Sequence, residues 1–163
     1  MKNRRKLGLV AASALLFSGG ANAVTMGTGV GHVQSFEFGW NETIDGAVLD
    51  ANVVFTFVSL TPATSTVAGT AVFNVTVENN SSGTGANRLV SFGIDTVTPD
   101  LRRASINDLD GELDWTATLN TNMPGGFGQI DLCIWEGQNC AGGSSGGLLE
   151  GDSDTFRLTL RGA

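Results

Sequence analysis

Past the first thirty or so positions the chain repeatedly alternates apolar and polar residues, the period of a strand with one face buried. In Phe36-Glu37-Phe38-Gly39-Trp40 the three aromatics fall on one side and Glu37 on the other. From Leu49 to Leu60 both sides are apolar, Val53, Phe55 and Phe57 against Val54, Thr56 and Val58, which predicts a central strand. Thr61-Pro62 ends it, because proline lacks the backbone donor that a ladder requires. Thr70 to Glu78 alternates cleanly, with Phe73, Val75 and Val77 inward and Asn74 and Thr76 outward.

After the polar turn cluster 79–87, Val90, Phe92 and Ile94 line up in a further strand, closed by Pro99. Leu101 to Leu109 has no clear period and is expected to carry one helical turn. Leu113, Trp115, Ala117 and Leu119 then share a strand face within Glu112 to Leu119. The Pro/Gly segment 120–128 reads as a loop, Gln129 to Trp135 as a strand, and Thr155 to Leu160 as the last strand, with Phe156, Leu158 and Leu160 inward. No capped helical period of ten residues or more occurs. The pattern predicts an all-β fold: an antiparallel β-sandwich, jelly-roll or Ig-like, of about seven to eight strands.

The first 23 residues break this pattern and read as a signal peptide: Lys2, Arg4, Arg5 and Lys6, an apolar run from Leu7 to Phe17, then Ala21-Asn22-Ala23 as the cleavage site. The apolar run is shorter than the ~20 residues that span a bilayer, which disfavours an uncleaved anchor. Export with a mature start at Val24 is expected, and residues 24–163 suit one β-sandwich domain. The leader holds four of the nine basic residues and none of the sixteen acidic ones. Five arginines then face sixteen acids, a net of −11. Such a surface repels duplex phosphate, so nucleic acid and anionic lipid are poor partners. No later segment is apolar for long enough to span a membrane.

The only two cysteines, Cys133 and Cys140, flank a short segment of an exported chain, which predicts a disulfide. Closing a loop of about eight residues contributes roughly 2–2.5 kcal/mol on the chain-entropy model, so the bridge mainly shapes its loop. The spacing is not that of a thioredoxin-like site, and no histidine lies near. Trp135 lies within this ring and is the candidate ligand contact; Trp40 and Trp115, on alternating strands, read as core. The glycine-serine run 141–147 lacks the lysine and following helix of a phosphate loop and reads as a flexible or tightly turned connection.

Asp108, Asp110, Glu112 and Asp114 form the most concentrated acidic run and are the candidate calcium ligands. With Gly111 at the sixth place of an EF-hand loop, Ile106 and Ala117 occupy the first and twelfth, where ligands are essential. What stays open is a looser calcium site on a sandwich loop, or a hairpin turn at Asp110-Gly111. A glycosidase pair needs two carboxyls about 5–10 Å apart in different environments, which nothing in this run supplies. His32 is the only histidine, and no Gly-x-Ser-x-Gly elbow accompanies it. No residue is assigned a catalytic role, and no cofactor beyond calcium is considered.

Several stretches together resemble the cistern family of bacterial PEP-CTERM proteins. They are Phe36 to Trp40, Val75 to Asn79, Arg88-Leu89 running into Phe92 to Asp95, Asn122 to Gly128, and Cys133 to Leu148. The resemblance implies export to an exopolysaccharide-producing envelope, with exopolysaccharide or other envelope proteins as partners. The sequence departs from that pattern after Arg161-Gly162-Ala163, where no Pro-Glu-Pro sorting tail follows. An unpaired sheet edge at Phe156 to Leu160 is then expected. The reading that results is a non-enzymatic exported envelope or extracellular-matrix β-sandwich. The alternative is a carbohydrate-binding module assisted by calcium, and a hydrolase ranks last.

Overall fold

Strands dominate because Val, Phe, Thr and Ile recur at period two between turn residues. The computed structural model of the chain describes Met26 and residues 34–97, 100–111, 115–124, 128–143 and 145–162. The expected leader, His32, Glu112 and Asp114 lie outside the described residues. Among those described, eleven strands and no helix occur.

Strand β1 (Ser35–Ile44) turns into β2 (Ala47–Thr61) through Asp45 and Gly46, both at positive φ, 51° and 85°. That is the geometry of a two-residue hairpin whose twist matches its strands. Next come β3 (Gly69–Asn79), β4 (Ser82–Gly83), β5 (Arg88–Leu89) and β6 (Ser91–Ile94). Then follow β7 (Leu101–Asp108), β8 (Thr116–Met123), β9 (Gly128–Trp135), β10 (Leu148–Leu149) and β11 (Ser153–Gly162). Eight of these strands are four residues or longer, in line with the sequence reading.

All pairings are antiparallel. The main sheet runs β1-β2-β3-β11-β7, with β4 added beside β2; a second sheet runs β6-β9-β8, and β10 pairs β5. Three expectations are corrected. The segment 101–109 holds no helical turn: it is β7, and its period is obscured because Arg161/Gly162 opposite carries a register shift. The loop after Leu119 is shorter than expected, since β8 continues to Met123 past Asn120, itself at positive φ. And β11 is no open edge, being paired by β3 on one side and β7 on the other.

The inward faces of both sheets enter one core. Val53, Phe55, Val75, Val77, Phe156 and Leu158 come from the main sheet, and Phe92, Leu132 and Ile134 from the second. Fully burying a side chain of this size contributes about 1.5–3 kcal/mol. The layers meet through aromatic contacts: Phe38 to Phe92 edge-on at 6.2 Å between ring centres, Phe92 to Trp115 edge-on at 5.8 Å, and Trp115 to Phe156 tilted at 5.8 Å. Trp115, expected in the core, is buried there.

One buried amide ties the short strands to this body. Asn79 is 1% exposed; its side-chain nitrogen donates to the carbonyls of Asn87 (3.2 Å) and Leu148 (2.8 Å), and its oxygen accepts from Ser81 N (3.2 Å). Asn87 immediately precedes β5 and Leu148 is the first residue of β10, so one side chain ties both short strands to β3. Asn79→Ala strands two buried carbonyls and is expected to destabilise the fold by about 2–3 kcal/mol. Chemical denaturation measures it; a change under about 0.5 kcal/mol, the scale of an ordinary surface substitution, contradicts this role.

Candidate functional site

The stapled loop forms as the sequence predicts. Cys133 on β9 and Cys140 are joined by a disulfide, with Cα atoms 6.2 Å apart, and both are buried against Ile130, with Met123 and Trp135 alongside. Trp135 is the last residue of β9, half-buried, and its indole N–H donates to Thr118 Oγ1 on β8 at 2.9 Å. The ring is therefore held by its N–H edge, a preorganised side chain within the loop.

The glycine run is tightly turned rather than loosely linked. Gly137 (φ 111°) lies so close to the following loop that a Cβ there would meet Ser145 O at 2.6 Å, and a Cβ on Gly146 (φ 76°) would strike the Gly137 backbone. Two loops thus press backbone to backbone, which only glycine permits at these dihedrals. Glu136 enters the same contact, and its Oε2 is buried without a hydrogen-bond partner among the described residues.

Of the candidate calcium ligands, Asp108 and Asp110 come together at the end of β7. Their third neighbour is a residue the sequence reading missed, Asp154 at the start of β11. One carboxylate oxygen from each lies within 4.8 Å of the others. The alternation had the signal: Asp154, Phe156 and Leu158 share a parity, so Asp154 points inward, and it is 1% exposed. Gly111 takes φ 84°, but the expected hairpin turn at Asp110-Gly111 is corrected: β7 before it and β8 after it belong to different sheets and pair with β11 and β9 instead.

The three carboxyls sit in unlike surroundings. Asp154 is pushed up to about 6, first by burial and then by the hydrogen bond and charge of Asp110, against the Trp115 indole N–H at 2.7 Å and its neighbour Thr155 N at 2.6 Å. Asp108 is held below the usual carboxylate range, chiefly by the backbone N–H groups of Gly111 and Asp110. An oxygen-only set of this kind suits a hard cation such as Ca²⁺, which takes 6–8 oxygens in all. Asp154 is the buried member of the set, bonded to the Trp115 indole, and Asp110 the exposed one.

The buried acid also makes stability depend on pH. An acid raised in the fold stabilises it while protonated. That contribution is complete below the unfolded value of about 3.9 and is lost as pH climbs through about 6. Asp154→Asn keeps an acceptor for Trp115 and donates to Asp110 without a charge. It should melt higher than the parent at pH 7, by roughly 4 °C, and lose most of the parent's decline between pH 4 and 7. A variant that melts lower at pH 7 and keeps that decline contradicts the assignment.

Comparisons with protein-family models, with curated proteins and with solved structures find no match to this chain.

Proposed function

We propose that the chain is a non-enzymatic, exported β-sandwich that serves as a component of the bacterial cell envelope or extracellular matrix, akin to the cistern family. The observation that carries this is the bridge between its only two cysteines, Cys133 and Cys140, buried at the end of β9. Disulfides of this kind persist outside the reducing cytoplasm. The tripartite leader before Val24 supports the same compartment. The stretches that resemble the cistern family support the envelope reading, and exopolysaccharide or envelope proteins are the partners this resemblance implies.

The second reading is a carbohydrate-binding module in which Trp135 stacks on a sugar ring. It is favoured by the hydrogen bond that fixes the indole to Thr118, since a ring already immobilised loses little entropy on binding. In this reading Asp108, Asp110 and Asp154 hold a calcium ion that steadies the fold rather than touching the sugar.

Fractionating cells and medium, followed by intact mass spectrometry with and without thiol labelling, tests the first reading. The exported species should begin at Val24 and carry no free thiol. Intact, leader-bearing protein in the cytoplasm with two labelled thiols contradicts it. Glycan binding that is specific and lost at least tenfold in Trp135→Ala, with the fold intact, would instead establish the second.

A further inference from the structure

Past the leader the sequence has five arginines against sixteen acids, so ion pairing is the expected fate of each arginine. Four of the five collect at one corner of the main sheet instead. Arg103 on β7 and Arg161 on β11 are direct cross-strand partners. Arg102 occupies the extra position of the register shift beside them, and Arg157 lies four residues before Arg161, about 13 Å along the strand. All four are exposed. Arg157 Nε donates to Asn74 Oδ1 at 3.3 Å; the side chains of Arg102, Arg103 and Arg161 have no hydrogen-bond or ion-pair partner among the described residues.

Like charges placed opposite each other in a ladder destabilise the sheet. One alternative explanation is edge protection, because charged side chains on a terminal strand block sheet-to-sheet association. It accounts for Arg102 and Arg103 on β7, at the end of the sheet. It leaves out Arg157 and Arg161, which stand on β11, paired on both sides.

The surroundings of the pair narrow what it can hold. Arg103, Ala104, Ser105, Thr159 and Arg161 line a shallow, open depression of about 380 Å³. On the same face, two positions along the ladder, Ser105 pairs with Thr159, and two further on Asn107 pairs with Arg157. Across the same face the strand partners are Thr70 and Thr61, then Val72 and Ser59, then Asn74 and Thr56. These three rows contain hydroxyls, amides and guanidinium groups, and no acid. Glu37, Glu78 and Asp50 appear only in the rows farther along. Asp100, exposed, stands immediately before β7 and two residues from Arg102, and Asp110 accepts from Thr155 N two residues from Arg157, so the basic excess of this corner is four guanidinium groups against these two carboxylates; charges beyond about 10 Å are largely screened in ordinary buffer.

We propose that the Arg103–Arg161 pair and the hydroxyl-rich face around it bind an acidic saccharide, its carboxylate or sulfate held by the guanidinium groups. Guanidinium forks match planar oxyanions with two parallel hydrogen bonds. Ser105, Thr159, Thr70 and Ser59 supply short donors and acceptors for sugar hydroxyls. The face carries no aromatic ring on which a nucleobase could stack, so the hydroxyl field selects a saccharide over a nucleic acid. The site uses neither Trp135 nor the acidic cluster, and it stands or falls separately from the envelope reading.

Binding of the purified protein to polygalacturonate, dextran sulfate, neutral dextran and a single-stranded oligonucleotide, measured by calorimetry at low salt, tests it. The unmodified protein should bind one or both acidic glycans, more weakly as salt is raised, and the two arms tell carboxylate from sulfate. Arg161→Gln should weaken that binding at least tenfold, Arg103→Gln with Arg161→Gln further, and Arg161→Lys less, while Arg88→Gln leaves it unchanged. Because the change removes a like-charge contact, Arg161→Gln should melt no lower than the parent. The proposal is overturned if no acidic glycan binds, if neutral dextran or the oligonucleotide binds equally well, or if Arg161→Gln binds as the parent does. It is equally overturned if binding and melting temperature fall together in that variant.

Discussion

The structure depends on a chain of aromatic contacts between the two sheets. Phe38 reaches Phe92, Phe92 meets Trp115, and Trp115 meets Phe156, so rings from β6 and β11 close on one indole placed just before β8, with the β1 ring behind Phe92. A half-buried sheet is not stable alone; it needs a second apolar face to cover it. Trp115 is the residue through which the covering is made, and its one polar atom must then find a partner inside. Asp154 supplies it, and the acid is buried as a consequence. The aromatic seam, the buried carboxyl and the raised affinity of that carboxyl for its proton are three aspects of one packing solution.

From that seam outward, polar groups take over where strands are too short to pair. Asn79 bonds the backbone carbonyls of Asn87, just before β5, and of Leu148, the first residue of β10, while the disulfide and the close glycine contacts shape the rim beside Trp135. The rigid part of the molecule therefore extends past the sheets into its loops. The two surfaces with the most recognisable chemistry, the stapled rim and the arginine corner, belong to different sheets: β9 carries the first, β7 and β11 the second.

The long strands were legible because their alternation is unbroken. β3 and β11 each bury every second residue over most of their length, and β2 is apolar enough to announce a central position. β7 was not, because a register shift sets Arg102 and Arg103 side by side, and the two-residue strands β4, β5 and β10 are too short to have a period. The Asp45-Gly46 turn carried a strong hairpin signal that would have extended the first strand to Ile44. Asp108 and Asp110 could be picked out as neighbours in sequence, but their meeting with Asp154 depends on β11 lying beside β7, a long-range pairing that no local pattern encodes. The same holds for Arg103 opposite Arg161. Parity places each on an outward face; only the register of two distant strands makes them a pair.

Hydrogen exchange of backbone amides measures the central claim directly, that both sheets share one core and open together. The slowest amides on β3 and β11, such as Val75, Val77 and Leu158, and those of Leu132 and Ile134 on β9 should exchange with a single free energy equal to that of global unfolding. Exchange on β9 at a distinctly lower free energy, with β3 and β11 still protected, would show two sheets that open independently and contradict the account.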